Sequence, residues 1–462
     1  MATQLPTSSP TARTIDMRAL RPVIIGVVII AAATALLLFI NRGMIYFPLW
    51  SAIGFPALVI TPFAMMGLKI PNNLKAFILV ITLLLILPYL GIQDSFYLEL
   101  ATQIGIFAAM ALGLNIVVGF AGLLDLGYIA FFAVGAYLWG VFTSAADIVT
   151  KQNGIQAAPE TFWLFLIFGV IAAAAMGILL GLPVLRLKGD YLAIVTLGFG
   201  EVIRILVSNL SNISPDPTVK VNITNGAQGL FGIQDPPLPD FFIRAVAGVA
   251  PNAGNPTALA YQFFFYFLVI AICGLAIIIA ARLENSPIGR AWTAIREDET
   301  AAIAMGVPLV RMKLMAFAIG ASFAGAMGVI YAAKQTFVSP ESFSFNQSIF
   351  ILAIVIVGGM GSIRGVILGA TVVTLLNLQV LKNFSILIGS LKSNLDQVPV
   401  FLQGIIASWP VQLEPARYER LVFGLLLALM MIFRPAGILP ATRRKLELQA
   451  KKQSEVVIDG GD

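Results

Sequence analysis

Few side chains in this sequence could do charge or acid–base chemistry within an apolar setting. Glu201 and Arg204 fall inside the apolar stretch 191–208, three residues apart, and that spacing places both on one helical face. An ionised side chain at a bilayer centre costs about 2.5–3.5 kcal/mol on insertion scales, so such a pair faces other helices or a wet path rather than lipid. Three roles suit it: a mutually neutralising pair that fixes its helix, the lining of a solute path, or a proton relay. Asp125 lies in Gly122-Leu123-Leu124-Asp125-Leu126-Gly127-Tyr128 and has no charged partner close by in sequence. Its glycine neighbours suggest a break between spans, and capping of the next helix is read ahead of an ion pair. The chain has no histidine and one cysteine, Cys273. That excludes the usual zinc, haem and iron–sulfur sites, an internal disulfide and a catalytic triad. No Gly-Lys dipeptide occurs, so there is no phosphate-cradling loop. The expectation is a chain that is no enzyme and carries no metal or cofactor, with any ATP split on another subunit.

The elements that must position these residues are membrane helices. Of 462 residues, 59% are hydrophobic and 11% charged, against about 25% charged in soluble domains; the mean hydropathy is +0.92. The net charge of +6 is read as loop charge that sets topology, not as a nucleic-acid surface. The predicted fold is an all-α polytopic transmembrane bundle of about ten to twelve spans. Candidates are residues 22–40, 44–68, 74–92, 98–118, 128–143, 162–184, 191–208, 261–281, 314–333, 348–360, 366–381 and 421–433. Those beginning at 128, 348 and 366 fall short of the roughly 20 residues a crossing needs and are expected to be tilted, broken or re-entrant. The first is read as a retained span, since it exceeds a signal-peptide core and Asn41-Arg42-Gly43 offers no small-residue cleavage site. With the N-terminus inside and strict alternation, nineteen Lys and Arg fall on inner segments and nine on outer ones, with Arg204 within a span. Both termini are therefore expected in the cytoplasm.

Two loops exceed a turn. Residues 209–260 are outside and rich in Pro, Asn and Gly; residues 282–313 are inside and mix charged with apolar residues. In the inner loop Ser286 suits an N-cap and Pro287 a first helical residue, followed by Ile288, Ala291, Trp292 and Ile295 at helical spacing. Glu297-Asp298-Glu299 then opens a second short helix carrying Ala301, Ala302 and Met305, with Gly306 as its stop. The apolar face of the first helix must pack against a partner protein, the membrane interface or its own bundle. Outside, Thr224-Asn225-Gly226-Ala227-Gln228-Gly229-Leu230 reads as a surface turn, with contact to an extracytoplasmic partner as the second reading. Small residues recur every fourth position at Gly105, Ala109 and Gly113, at Gly320, Ala324 and Gly328, and at Gly361, Gly365 and Gly369. Such seams let helix backbones approach closely in lipid, whether for fixed packing or for sliding.

Several of these segments, taken in order, resemble the membrane permease subunits of branched-chain amino acid ABC importers. They are residues 111–128 with Gly135-Ala136-Tyr137, residues 187–197 with Glu201 and Arg204, Thr224 to Leu230, Gly289-Arg290-Ala291 through Glu299 to Gly306 and Lys313, and Gly358-Gly359-Met360-Gly361-Ser362. The stretch Leu123-Leu124-Asp125-Leu126-Gly127-Tyr128 favours the LivM type over its LivH-type partner. The resemblance implies a permease subunit in the bacterial inner membrane that translocates branched-chain, hydrophobic amino acids. It would form a heterodimer with a second, LivH-type permease, and work with two cytosolic ABC ATPases and a periplasmic substrate-binding protein, amid membrane lipid and without nucleic acid. It implies an ATPase-coupling loop with Arg290, Trp292, Ile295, Glu297, Asp298, Glu299, Ala301, Ala302 and Gly306. Path candidates are Asn115, Asp125, Tyr128, Thr196, Glu201 and Arg204; binding-protein contact candidates are Asn225, Gly226 and Gly229. Thr300 stands where the general importer motif Glu-Ala-Ala-x-x-x-Gly has its glutamate, and the motif's later Ile-x-Leu-Pro is absent. The organisation expected is a cytoplasmic N-terminus and extension of about three spans over residues 1–97, a first core part over 98–208, and the outer loop 209–260. A second core part over 261–439 includes the coupling loop 282–313, and a cytoplasmic tail covers 440–462. Rival readings are a permease of the same family for urea, short amides or other neutral amino acids, and an ion-coupled secondary transporter in which Glu201 and Asp125 handle protons.

Overall fold

A computed structural model describes residues 17–39, 47–65, 71–144, 157–184, 189–211, 213–216, 219–250, 255–394, 403–404, 408, 410 and 413–440. Leu187, Lys188 and the tail beyond residue 440 lie outside the described residues. The chain is a helical membrane bundle. Nine helical segments among the described residues are long and apolar enough to cross a bilayer, and two shorter apolar helices accompany them. Apolar side chains such as Ile25, Ile167, Leu182 and Ile278 stay exposed on the bundle's outside, as a lipid-facing surface requires.

Helices α1 (Met17–Phe39), α2 (Phe47–Met65), α3 (Asn72–Ile81) and α4 (Leu87–Gln93) form three helical segments, with α3 and α4 joined through a wide π turn at Thr82–Ile86; α2 and the α3–α4 segment are long and apolar enough to cross a bilayer. They share a core of Phe55, Leu58, Leu87 and Leu90 with Tyr97 and Leu98. These helices are tied to the rest of the bundle by polar contacts. Tyr266 donates to the Leu83 carbonyl at 2.7 Å, and the Gln379 side-chain amide donates to the Ser51 carbonyl at 2.8 Å.

The remaining bundle comprises α5 (Ser95–Asn115, prolonged by a π turn at Ile116–Phe120), α6 (Ile129–Thr143), α7 (Phe162–Val184), α8 (Asp190–Asn209), α9 (Asp240–Val249) and α10 (Pro256–Glu284). There follow α11 (Pro287–Glu297), α12 (Glu299–Ala304), α13 (Leu309–Gln335), α14 (Phe345–Gly358), α15 (Ile363–Leu375), α16 (Lys382–Ser393) and α17 (Glu419–Phe433). At 1.5 Å per residue, the 15 residues of α6 and 14 of α14 span about 21–22 Å, short of the ~30 Å hydrocarbon core. α6 is thus a partial span completed by irregular backbone buried in protein, the condition under which such backbone is tolerated at membrane depth, whereas α14 follows a 3-10 turn and with it forms the 19-residue segment Pro340–Gly358, long enough to cross. The segment from 366 differs from the other two: it belongs to one continuous 31-residue helical segment, Ile363–Ser393.

α13 is the axis of the bundle, and glycines set its spacing. A Cβ on Gly320 would lie 2.9 Å from the Gly113 carbonyl oxygen of α5; on Gly325, 2.3 Å from Gly169 of α7; on Gly328, 2.2 Å from Phe132 of α6. Helix backbones here meet directly, the packing used where lipid supplies no hydrophobic drive between helices. Of the third seam, Gly365 and Gly369 do abut the α14 backbone. Gly361 instead has φ +80° and sits in the turn before α15, so spacing alone assigned it to the wrong structure. Outside the helices, β1 (Ile213–Asp216) pairs with β2 (Val219–Val221), and β3 (Leu230–Phe231) with β4 (Phe337–Val338), both antiparallel.

Candidate functional site

The inner loop folds as two caps and two short helices. Ser286 accepts from the Gly289 amide at 3.1 Å and Pro287 is the first helical residue, a pairing that suits a helix start because Pro supplies no amide there. Asp298 accepts from the amides of Thr300 (2.7 Å) and Ala301 (3.0 Å) to start α12. Gly306, at φ +82°, ends it: its amide donates to Ile303 and that of Val307 to Ala302, at 2.9 and 3.0 Å. This is the two-bond C-terminal closure that favours glycine.

The apolar face of α11 is turned into the chain itself. Trp292 is fully buried, Ile295 nearly so, and the Trp292 indole donates to the Met312 carbonyl at 2.8 Å. Ala302 is buried as well. Glu299 meets Lys313, 2% exposed, at 2.6 Å, tying α12 to the start of α13. Exposed residues of this loop include Arg290, Glu297, Asp298, Thr300, Ala301, Gly306 and an apolar tip: Ile303, Met305 at 84% exposure and, just beyond, Val310.

A second residue pattern links this loop to the membrane helices. The Arg296 guanidinium donates to the Gly119 carbonyl at 2.7 Å. Gly119 lies in the π turn that ends α5, where carbonyls lack intrahelical donors and a cation is favoured. Gly122, at φ +71°, makes room for that arginine, since a Cβ there would be 2.4 Å from Arg296 Cγ. One turn back, Asn115 Oδ1 accepts from the Gly361 amide at 2.8 Å. The segment after α17 reaches the same place, with the Ile438 amide donating to Val357 and that of Leu439 to Gly358. Loop, α5, the α14–α15 turn and the segment after α17 therefore meet in one junction.

The path candidates divide. Asp125 does not cap α6, which begins without a side-chain cap; its Oδ1 accepts from the Gly127 amide at 2.9 Å, closing a turn two residues on. The loop is too tightly folded against α8 for a cap: Leu126 donates to Thr196 Oγ1 at 3.0 Å, and a Cβ on Gly127 would be 2.0 Å from the Thr196 carbonyl. Thr196 itself donates to Ala193, and Tyr128 donates to the Gly320 carbonyl at 2.9 Å. Asn115, Asp125, Tyr128 and Thr196 are all buried and act as interior ties.

Glu201 and Arg204 form the expected pair, at 2.5 Å, with a second carboxylate, Glu341, 3.2 Å from the guanidinium. Their side chains are 40% and 25% exposed. Glu201 lines a cavity of about 280 Å³ with Gly200, Ile129, Phe343 and Ser348. The outer turn is structural in its details: Asn225, in the left-handed region at φ 57°, donates to the Gly229 carbonyl at 2.9 Å. Gly226 and Gly229 are buried, while Ala227 and Gln228 face outward. Beyond this turn, burial pushes the Asp235 carboxyl above its ordinary range.

Sequence reasoning missed Arg296 as a contact to α5, the Glu299–Lys313 pair, and an ion pair between Lys334 and Glu99. Each joins residues of different helices, so no helical spacing signals it.

Against known proteins, residues 96–431 match the family model "Branched-chain amino acid transport system / permease component". The chain is similar to the high-affinity branched-chain amino acid transport system permease protein LivM of Escherichia coli K12, 39% identical over 358 residues, 76% of this chain and 72% of that protein. It is 25% identical over 358 residues to the probable branched-chain amino acid transport permease protein LivM of Methanocaldococcus jannaschii, covering 73% of this chain and 91% of that protein. LivH of E. coli K12 is 23% identical over 268 residues, 58% of this chain and 79% of that protein. No solved structure matches.

Proposed function

The chain belongs to the branched-chain amino acid transport permease family, and from that membership we propose that it is one permease subunit of an ABC importer in the bacterial inner membrane. Its cargo is branched-chain, hydrophobic amino acids. It pairs with a LivH-type permease, two cytosolic ATPases drive it, and a periplasmic binding protein delivers the solute. The observation that carries this reading is the 39% identity to LivM over 76% of the chain, and the inner junction supports it physically.

In this reading the tip of α12 seats on an ATPase. Nucleotide-dependent movement of that tip passes through the Glu299–Lys313 pair to α13 and through Arg296 to the π turn of α5. α5 in turn holds the α14–α15 turn through Asn115. These contacts join α5, α13 and the α14–α15 turn to the loop, so a shift of the loop biases the helices between inward and outward arrangements. π turns inside helices are frequent at functional sites. The exposed apolar face of α8, with Tyr191, Ile194 and Val202, is where the second permease packs, and Glu201 and Arg204 line the path beside it. The binding protein meets the outer turn through Ala227 and Gln228, with Asn225, Gly226 and Gly229 shaping that turn.

The test is reconstitution of the complete complex in liposomes. ATP-dependent accumulation of labelled leucine, isoleucine or valine that requires both ATPases and binding protein is the expected result. Accumulation of urea, a short amide or another neutral amino acid instead overturns the cargo assignment; uptake by this chain alone under a proton gradient overturns the subunit role.

A further inference from the structure

A second cavity, of about 480 Å³, opens between α5, α13, α14, α16 and α17, and no role above uses it. Its volume is that of a small-molecule site, and its polarity is graded. Toward the ends of α5 and α13 that lie farthest from the coupling loop it is lined by Glu99, Gln335, Asn377, Lys382 and Glu419. Eleven residues along α5 from Phe96, or about 16 Å at 1.5 Å per residue, Phe107 also lines it. There Phe107 and Phe350 form an edge-on pair with ring centroids 4.9 Å apart, and both are buried.

The charges at the mouth are not all used up. Lys334 pairs with Glu99, and Asn377 donates to one oxygen of Glu419 at 2.6 Å, which leaves that carboxylate its charge and its second oxygen. Lys382 makes no ion pair among the described residues. One anion and one cation thus stand at the rim over an aromatic floor. We propose that this cavity binds a free zwitterionic amino acid with an apolar side chain, its ammonium at Glu419, its carboxylate at Lys382 and its side chain toward Phe107 and Phe350. The proposal rests on the transport reading above and adds to it a binding site within this subunit's own bundle. Phe132 lines this cavity and its ring meets that of Phe343, which lines the cavity under Glu201, at 5.5 Å. An aromatic pair is thus the wall between the new site and the path along α8.

The experiment is equilibrium binding of tritiated leucine to the intact permease complex, without binding protein, in nanodiscs of phosphatidylglycerol. Lys382→Met and Glu419→Gln each remove a rim charge while leaving the Asn377 contact and the aromatic floor in place. Each is expected to weaken leucine binding about tenfold or more, the usual consequence of losing a charged hydrogen bond. Glycine, leucinamide and isocaproate, which lack the side chain, the carboxylate and the ammonium respectively, are expected to compete at least tenfold less well than isoleucine. Unchanged binding in both variants, or glycine competing as well as isoleucine, overturns the proposal. So does loss of the leucine signal when phosphatidylethanolamine is added, since the cavity would then be a lipid-headgroup site. ATP-driven leucine uptake by the same preparation keeps the two readings apart: uptake without binding at this site sinks the site alone, and absent branched-chain uptake sinks the transport reading.

Discussion

α11 and α12 occupy one inner loop, one residue apart, and are held in opposite ways. α11 buries Trp292 and Ile295 against α10 and α13 of its own chain. α12 is anchored by one buried alanine and one ion pair, and presents Ile303 and Met305 outward. An amphipathic cytoplasmic helix invites the reading that its apolar face is the docking face. Here that face is the root, buried in the chain itself, and it is the shorter helix beyond it that leaves apolar groups exposed for the proposed docking. A lever needs both parts: a root that moves with the membrane helices and a tip that a partner can grip.

Trp292→Ala is the largest expected break. It removes a fully buried indole and its bond to Met312, a change that costs about 3–5 kcal/mol in protein cores. A marked fall in the thermal unfolding midpoint of the detergent-solubilised complex is expected. An unchanged midpoint would show that α11 is as peripheral as α12. Next comes Lys313→Met, which removes the ion pair to Glu299 and puts an apolar side chain in its place. Removing one partner of a buried pair costs roughly 3–5 kcal/mol, and Glu299 at 18% exposure recovers part of its hydration, so about 3 kcal/mol or less is expected. Adding Glu299→Gln should restore most of the midpoint, because the two positions act as one unit; additive losses would mean that the pair does not tie α12 to α13.

The tip is expected to behave oppositely. Met305 is 84% exposed, so Met305→Glu should leave the midpoint within experimental scatter. A charge placed at the centre of the proposed ATPase contact is expected to cost about 2 kcal/mol there, near thirtyfold in affinity. Loss of ATPase co-purification with stability intact is the outcome that upholds the division of labour. Retained co-purification would move the docking surface elsewhere on the loop.

Much of this architecture is legible in the sequence because it rests on local rules. Helix positions follow from apolar runs, and the caps at Ser286, Asp298 and Gly306 follow from residue chemistry within a few positions. The shortness of the pass at 128 follows from length alone, whereas the segment at 348 gains a 3-10 turn before it and reaches 19 residues. The direction in which α11 points its apolar face does not, since burial on the bundle and burial on a partner leave the same periodic pattern. Asp125 misled for a related reason. Its neighbours suit a cap, yet Thr196, seventy residues on, takes the backbone donor of Leu126 and folds the loop away from helix-start geometry. Arg296 to Gly119 and Asn115 to Gly361 are likewise long-range contacts that no single-sequence spacing encodes.

The smallest test addresses the hinge between root and tip. Asp298 accepts from two amides at the start of α12 and is itself the single residue between the two helices. Asp298→Ala should cost about 1 kcal/mol of local stability, the usual value of a lost cap, and barely move the global midpoint, since α12 contributes only one buried alanine to the bundle. Its effect belongs to the tip: amides of Thr300 to Ile303 should gain solvent exchange roughly fivefold (about 1 kcal/mol), while those around Trp292 stay protected. Asp298→Asn keeps an acceptor at the cap and should restore the slow exchange. If exchange instead rises across both helices together, they unfold as one unit, and the lever has no hinge at residue 298.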